Sequence, residues 1–320
     1  MQFFKQVDNS LLKTYSAADR ASKVTRLMGA KPLCAGSSIA DFLESLPSIL
    51  KADDFRSVAK AVVKAKHLNK PVIVMLGGHV IKTGCSPILI NLAENGFVTH
   101  FASNGSVAIH DTELARFGHT SEDVATQLED GSFGMAHDTA SFVNNAAKCA
   151  AERDCGFGEM VGGMLLEENA SYTDQTLLAS CTRLSIPYTL HIAIGTDIVH
   201  QHPSADGAAI GKASLNDFKI LCASVSELGG GGVVLNLGSA VIMPEVFLKS
   251  LAVARNIRKD VKDFTTANFD MLQHYRPMAN VVHRPVSLGG NGYAITGHHE
   301  IMIPLLGAAI FEYAAAFEKV

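Results

Sequence analysis

The chain has 320 residues, of which 48% are hydrophobic and 18% charged, so it has ample material for a core and is not an intrinsically disordered protein. Its net charge of -4, without a run of Lys or Arg, argues against nucleic acid as the main partner. Six cysteines without a Cys-x-x-Cys pair, and an amino-terminal stretch too polar for a signal peptide, predict a cytoplasmic protein.

The amino-terminal part is predicted to be an irregular arm followed by helices. We assign residues 1–38 to the arm and residues 39–320 to a single domain, because no linker or charge block divides them. Helical spacing predicts helices over residues 39–50 and 53–67, with Asp53 as the N-cap of the second.

The next stretch predicts a β-α-β unit. Val72–Leu76 is an apolar run rich in β-branched residues, which is typical of a strand buried on both faces of a parallel sheet. Gly77 and Gly78 end this run, and helical spacing follows over residues 86–95. Residues 97–102 predict the second strand.

Strands and helices alternate through the rest of the chain. Further strands are predicted over residues 188–194, 233–237 and 261–266, and further helices over residues 120–128, 138–153, 174–184, 214–228 and 244–255. The apolar segment 301–317 contains Pro304 and Glu312, so we expect a buried closing helix rather than a membrane span. The alternation predicts an α/β fold, a doubly wound and mostly parallel sheet with helices on both faces.

Small and polar residues follow several predicted strands, at the edge where open α/β sheets bind ligands. Glycine lets backbone N–H groups approach a phosphate or a ribose, and Ser, Thr, Asn and Asp add hydrogen-bonding groups. Neither a Gly-x-Gly-x-x-Gly motif nor a Walker A motif is present. The candidate cofactor-binding residues are Gly78, Ser103, Asn104, Gly105, Asp111, Asp197, Gly238, Ser239, Thr266, Ala267, Asn268 and Asp270.

Titratable side chains near the same strand ends are candidates for acid/base chemistry. Histidine exchanges protons near neutral pH, and a lysine at this edge pairs with an anion or, when desolvated, forms a Schiff base. The candidate catalytic residues are His79, Lys82, His110, His200 and His298. For Asp111 and Glu113, helix capping is a competing role.

Two clusters also offer imidazole and carboxylate together, as a metal site requires. They are His200 and His202 with Asp206, and His298 and His299 with Glu300. Neither has the spacing of an established metal motif, so a bound metal is the less favoured alternative.

The order of these motifs resembles the deoxyhypusine synthase family over roughly residues 55–310. Residues 79–84, followed by a helix and Phe97-Val98, are similar to that family's Asn-Leu-Ile-Ser-Ser-Gly segment. Residues 103–105 stand where the family has a Thr-Ala-Gly turn against NAD, and residues 303–306 resemble its Phe-Pro-Leu-Leu.

Some positions depart from the family. The position of its covalent lysine is Val241, which cannot form a Schiff base, and His298 replaces an aspartate that lies against the cofactor. Arg276 and Arg284 suit an anionic ligand better than a polyamine. The resemblance therefore implies a Rossmann-like fold, NAD or NADP at the sheet edge and a homotetramer, but a different reaction.

The sequence leaves three functions open. The favoured one is an enzyme that binds NAD(P) or a related nucleotide and a small anionic substrate at the carboxyl edge of the sheet, without a membrane partner. The alternatives are a metal-dependent hydrolase or lyase that uses the His, Asp and Glu clusters, and a non-catalytic ligand-binding homologue, which Val241 favours.

Overall fold

A computed structural model describes residues 4–317, and its six strands form one parallel sheet. The strands are β1 (Val72–Leu76), β2 (His100–Asn104), β3 (Tyr188–His191), β4 (Val233–Leu237), β5 (Phe264–Asp270) and β6 (Gly290–Thr296). Their order is β3-β2-β1-β4-β5-β6, and every neighbouring pair is parallel. This is the order of a dinucleotide-binding Rossmann fold, and it puts the point where the winding reverses between β1 and β4. The predicted doubly wound α/β fold is confirmed.

Helices cover both faces of this sheet. They are α1 (Ile39–Ser45), α2 (Leu50–His67), α3 (Gly78–Lys82), α4 (Ser86–Glu94), α5 (Gly105–Phe117), α6 (Val124–Asp130), α7 (His137–Arg153), α8 (Phe157–Glu167), α9 (Leu177–Leu184), α10 (Gly207–Ser226), α11 (Ile242–Ile257), α12 (Tyr275–Pro277) and α13 (His299–Phe317). A π-helix, Met278–His283, follows α12. The connection between β2 and β3 is the longest, because it holds α5 to α9.

The alternation of side chains along β1 divides the core into two parts. Val72, Val74 and Leu76 belong to the larger apolar cluster, which includes residues of α2, α4, α5 and α13. Ile73 and Met75 point to the opposite face and belong to the smaller cluster with residues of α10 and α11. A central strand covered on both sides must be apolar throughout, and all five of its residues are buried.

Four strands differ from the sequence prediction. Strand β3 ends at His191, three residues before its predicted end. Strand β2 begins at His100, three residues after its predicted start. Phe97, which suggested an earlier start, lies before the strand and packs its ring edge to face on Phe311 of α13. Strand β5 extends to Asp270, so Thr266, Ala267 and Asn268 lie inside the strand and not in the turn after it. Strand β6 was not predicted, since it begins with Gly290-Asn291-Gly292 and its first residues are exposed.

Residues 4–38 precede the first α-helix and contain no buried residue. They form three 3-10 turns, of which Arg26–Met28 is the last. Two hydrogen bonds tie the end of this stretch to α1 and its C-terminal loop, from the N–H of Lys31 to the carbonyl of Ser45 and from that of Ser48 to Met28. The exposed stretch thus meets the rest of the molecule at its C-terminal end.

The closing helix α13 begins at His299, two residues before the predicted start. Ile303, Leu306 and Ile310 are buried, and the helix packs against α2. Within residues 4–317, α13 alone is long and apolar enough to cross a membrane by those two criteria, which core helices of soluble proteins also meet.

Candidate functional site

The turns after β1 and β4 meet at the reversal point of the sheet. A Cβ atom built on Gly77 would lie 2.2 Å from the carbonyl oxygen of Gly238, so the two backbones are in contact. Gly238 has φ +70°, and a Cβ there would lie 2.7 Å from the ring of His299. The rings of His79 and His299 pack edge to face with centroids 5.7 Å apart. Glycine is therefore required at both corners.

His299 is buried at this junction and has one hydrogen bond. Its Nε2 lies 3.3 Å from the carbonyl oxygen of Phe269, which can only accept, so Nε2 carries the proton. Its Nδ1 is buried without a partner in the described part of the chain. Beside it, Ser239 is buried and its Oγ accepts from the N–H of Met243 in the first turn of α11.

A cavity of about 180 Å³, whose walls combine eight polar residues with Ile109, Val124, Phe133 and Ile198, lies on the α5 face of this edge. It is bounded by the end of α3, the first turns of α5, the loop before α6 and the loop after β3. The polar side chains that line it are Lys82, Ser106, His110, Glu113, Ser121, Glu122, Thr196 and Asp197. Three predicted site residues (Lys82, His110 and Asp197) therefore face one cavity. We call it the polar cavity.

Close approach of α3 to α5 connects the polar cavity to the turn after β1. A Cβ atom on Gly78 would lie 2.5 Å from Ser106 Oγ and 3.3 Å from His110 Cδ2. The Ser106 hydroxyl donates to Asn104 Oδ1 at 3.1 Å, which fixes the residue before α5. The predicted residues Gly78, Asn104 and Gly105 thus shape this wall.

Asp197 is the least satisfied acid in the polar cavity. It is 6% exposed, and its Oδ2 has no hydrogen-bond partner among the described residues. Burial raises the pKa of this carboxyl to about 6. A Cβ on Gly105 would lie 2.3 Å from Oδ2, so only glycine leaves room for the carboxylate at the start of α5.

His110 is half-buried across the same cavity. Its Nδ1 lies 2.8 Å from Thr120 Oγ1. Burial lowers the pKa of the imidazole, the nearby charge of Lys82 lowers it further, and Glu113 opposes both. The ring is therefore neutral at pH 7.

An apolar cavity of about 390 Å³ lies at the carboxyl edge on the opposite face, between the first halves of α10 and α11. Ile192, Ile194, Ile210, Leu215, Phe218, Val241, Ile242 and Val246 line it, with His191, Ser214 and Glu245 as polar members. Val241, the position of the family lysine by resemblance, lies at its rim and is 45% exposed. We call it the apolar cavity.

Other predicted residues make internal contacts. His200 Nδ1 accepts hydrogen bonds from the N–H groups of Gly195 (3.1 Å) and Asp197 (3.3 Å), so its ring braces the loop after β3. His202 Nε2 lies 3.0 Å from the carbonyl oxygen of Gly134. His298 is exposed, and its Nδ1 is 3.8 Å from Glu300.

Asp111 caps a helix that follows it by 66 residues. Its two carboxylate oxygens accept from the N–H groups of Leu177 (3.0 Å) and Leu178 (2.7 Å) at the start of α9. Burial raises the pKa of this carboxyl to about 6, and the two N–H donors oppose the rise. These bonds occupy both oxygens, so we assign Asp111 a structural role in place of the predicted ribose contact.

The predicted residues of β5 belong to a buried network. Thr266 Oγ1 donates to the carbonyl of Val281 at 2.6 Å, and Asn268 Oδ1 accepts from Asn236 Nδ2 at 2.6 Å. Ala267 is fully buried, and Asp270 accepts weakly from Leu272 N at 3.5 Å. Ser103 accepts from the hydroxyl of Tyr188 at 3.0 Å. These contacts tie the strand ends together, and they leave no free group of Thr266 or Ala267 for a ligand.

The side chains of each predicted metal cluster do not come together as a set of metal ligands. Within residues 4–317, no three His, Cys, Asp or Glu side chains are arranged to hold a metal ion. Sequence reasoning also missed two features: the apolar cavity, and Thr120, which it assigned to the start of a helix. Asp123 caps α6 instead, and Thr120 bonds His110. A Thr ten residues after a His carries no signal of such a pair.

No protein-family model matches the sequence, and the search of curated proteins found no match either. Solved structures do match by fold. A conserved LOR/SDH protein from Methanococcus maripaludis S2 is 15% identical with a TM-score of 0.51, over 83% of this chain and 71% of that one. Unliganded AgrE is 16% identical with a TM-score of 0.54, over 84% of this chain and 34% of its own. A ternary complex of AgrE with ornithine and NAD+ is 15% identical with a TM-score of 0.53, over 85% of this chain and 35% of its own.

These likenesses show the fold. The neighbours are LOR/SDH and AgrE proteins and not deoxyhypusine synthases, so they support the Rossmann-like part of the predicted resemblance and give no support to the rest. The chain spans about a third of the length of AgrE.

Proposed function

We propose that this protein is an enzyme that binds NAD or NADP across the carboxyl edge of its sheet and acts on a small substrate in the polar cavity. The observation that carries the proposal is the strand order β3-β2-β1-β4-β5-β6, with glycine corners in contact where the winding reverses. An AgrE neighbour of the same fold is described as a complex with ornithine and NAD+, which supports the same cofactor here.

The residues present fit a dinucleotide in part. Gly77 is buried against Gly238, and Gly238 is the half-buried corner whose backbone a pyrophosphate would approach at the reversal point. The apolar cavity suits a nucleobase, because a planar aromatic ring is stabilised by apolar walls. Asn104, the residue before α5, is an acceptor for a ribose hydroxyl at this edge. The chain lacks the glycine fingerprint of standard Rossmann folds.

When bound, the nicotinamide would accept or donate a hydride. The chain itself supplies the proton chemistry. His110, neutral at pH 7, and Asp197, with a pKa raised to about 6, are both able to accept a proton from a substrate. Lys82 at the rim of the cavity is the cation available to orient an anionic group.

The substrate is proposed to be small and to carry an anionic group that Lys82 holds. The two arginines that suggested an anionic ligand are engaged elsewhere: Arg276 lies 3.3 Å from Glu245, and Arg284 donates to Asn280 at 2.7 Å. Glu113, Glu122 and Asp197 face the same cavity, so the substrate must also offer hydrogen-bond donors.

Thermal melting with and without dinucleotide tests the proposal. NAD+ or NADP+ at a hundred times its dissociation constant stabilises the folded state by about 2.7 kcal/mol, which raises Tm by several degrees. Val241→Glu places a charge at the rim of the apolar cavity and should abolish the shift, whereas Val253→Glu, a change on the same helix outside that cavity, should keep it.

The absence of a shift with either dinucleotide at millimolar concentration would contradict the proposal. NADH absorbance with hydroxy acids, amino acids and amines tests for turnover. If the protein binds NAD+ but forms NADH with none of these compounds, it is the non-catalytic homologue. Homo-oligomerisation and a cytoplasmic location stay predictions, which sedimentation and cell fractionation test.

A further inference from the structure

A hydrogen-bond chain begins at the wall of the polar cavity and runs away from it. His110 Nδ1 lies 2.8 Å from Thr120 Oγ1, and the Thr120 hydroxyl donates to Glu113 Oε2 at 2.5 Å. The hydroxyl of Thr139 on α7 donates to the other oxygen, Glu113 Oε1, at 3.0 Å. Glu113 is therefore an acceptor of two hydroxyl protons, one on each oxygen.

The proton count of Thr120 decides the state of the imidazole. A threonine hydroxyl has one proton to donate, and Thr120 donates it to Glu113. Towards His110 it can then only accept, so Nδ1 carries the ring proton. In a neutral imidazole the other nitrogen, Nε2, is unprotonated. This nitrogen makes no hydrogen bond within residues 4–317, and it is not among the fully buried polar atoms there, so a ligand can reach it.

We propose that Thr120 and Glu113 are positioning residues that hold His110 as the Nδ1–H tautomer, so that Nε2 accepts a proton or a hydrogen bond from a ligand in the polar cavity. The proposal rests on the proposed function only in treating this cavity as the substrate site. The proton moves from an O–H or N–H of the ligand to Nε2, and the imidazole becomes the imidazolium.

The charged groups around His110 come from every element that borders the cavity. Lys82 at the end of α3 disfavours a protonated ring, and Glu113 on α5 favours one. Glu122, in the loop before α6, accepts from Gly134 N at 2.9 Å, and Asp197, in the loop after β3, lies across the cavity. Burial is the largest influence and keeps the ring neutral.

Two unpaired acceptors in one cavity define the class of ligand. Oδ2 of the 6% exposed Asp197 is buried without a donor, and Nε2 of the half-buried His110 makes no hydrogen bond within residues 4–317. A buried acceptor without a donor is costly, so a ligand is stabilised when it donates to Asp197 and gains a second hydrogen bond at Nε2. In a volume of about 180 Å³, the group that enters is a hydroxyl or amino group on a small carbon frame.

Nitrogen NMR of the histidine rings in the full chain tests the tautomer directly. The His110 signals, assigned by their loss in His110→Gln, should show a protonated Nδ1 and an unprotonated Nε2. Thr120→Val removes the acceptor and should shift the ring towards the Nε2–H tautomer, whereas Thr120→Ser keeps the hydroxyl and should retain the wild-type signals. Circular dichroism confirms that each variant is folded.

An Nε2–H tautomer in the wild-type protein, or a Thr120→Val spectrum identical to that of the wild type, would overturn the proposal. Glu113→Gln provides a second, independent variant. An amide can donate its own proton to Thr120 and release that hydroxyl towards Nδ1, so the Nδ1–H population should fall there too.

Three probes with the same three-carbon frame test the ligand class: 1-propanol, propylamine and propionate. We expect the alcohol and the amine to shift the Nε2 resonance and propionate to leave it unchanged. Asp197→Asn should weaken propylamine about tenfold, the loss expected for one charge-assisted hydrogen bond. A response to propionate alone, or to none of the three, would refute the ligand class. No dinucleotide is present, so this result is independent of the cofactor.

Discussion

Buried carboxylates show that an altered pKa alone does not mark a functional residue. Burial raises the pKa of Asp111 and Asp197 to about 6 and that of Asp217 to about 7. Asp111 caps α9, and Asp217 accepts from the N–H groups of Gly158 (3.0 Å) and Leu190 (2.7 Å). Asp217 Oδ1 and Asp197 Oδ2 are both buried without a partner among the described residues, but of the two acids Asp197 is the one that lines the polar cavity. Geometry therefore distinguishes the candidate site from the structural acids.

Asp217→Asn should change how stability depends on pH. The folded state raises the pKa of this carboxyl from 3.8 to about 7, so it binds more protons than the unfolded state between those values. Stability from this group is present at low pH and is lost as pH rises to 7. The unfolding free energy of the variant should therefore rise, relative to that of the wild type, by on the order of 3 kcal/mol between pH 4 and 7, since one pKa unit is about 1.4 kcal/mol.

Urea unfolding of both proteins across that pH range measures the difference. The comparison must be made between variant and wild type, because His100 and His191, with pKa values lowered to about 3, act in the opposite direction over the same range. Asp138→Asn, a change at an exposed carboxyl, should leave the difference near zero. A constant difference for Asp217→Asn from pH 4 to 7 would contradict the assignment.

At the level of elements, contact between the β1 and β4 turns predicts a strong effect of one methyl group. The Cβ of Gly77→Ala would overlap the carbonyl oxygen of Gly238 at 2.2 Å, so both turns must move. We expect a loss of about 1 to 3 kcal/mol, as for other overpacked sites, together with the loss of dinucleotide binding. Gly163→Ala is the matched control, because Gly163 lies outside both cavities.

Gly163 lies in α8, and a Cβ there would meet nothing within 4 Å. The same substitution should therefore stabilise the protein by about 0.5 to 1 kcal/mol through helix propensity. Chemical unfolding of the two variants should therefore show a lower unfolding free energy for Gly77→Ala and a higher one for the control. If both substitutions changed the unfolding free energy equally, the turns after β1 and β4 would accommodate the added methyl group without loss of stability.

The elements that the sequence predicts well are those whose burial is uniform. Strands β1 and β4 were predicted with correct bounds, because each is central and buried at every position. Strand β6 was missed, since an edge strand with glycines at 290 and 292 shows neither an apolar run nor alternation. Glycine is needed there because a Cβ at 292 would lie 1.8 Å from the carbonyl oxygen of Val282.

Site residues follow a different rule, because their partners are distant in sequence. Lys82, His110 and Asp197 were named from their places after predicted strands, and they line one cavity. Nothing local distinguishes Asp197 from Asp111, whose partners begin 66 residues away. The apolar cavity was missed because its walls come from α10, α11 and the end of β3, whose apolar residues resemble core.

At the level of the whole molecule, the strand order sets two unlike cavities at one edge of the sheet. Crossovers before and after the reversal lie on opposite faces, so α5 borders the polar cavity and α11 the apolar one. A ligand that extends between the cavities must pass the corners at Gly77 and Gly238. Under the proposed function, a dinucleotide would place its base on one face of the sheet and its reacting group on the other.

The exposed stretch before α1 yields the last prediction. Leu11, Leu12 and Leu27 are 66 to 94% exposed, and no residue of 4–27 is buried, so this stretch removes little apolar surface from water. Deleting residues 1–27 should leave the unfolding free energy within about 0.5 kcal/mol of the full chain, as for surface changes in general. Deletion to residue 45 also removes the buried Leu43 of α1 and should cost about 2 kcal/mol or more. Chemical unfolding at two protein concentrations measures the unfolding free energy of both deletion variants. If the shorter deletion lowers this free energy, and lowers it more at the higher concentration, the stretch packs against a second copy of the chain.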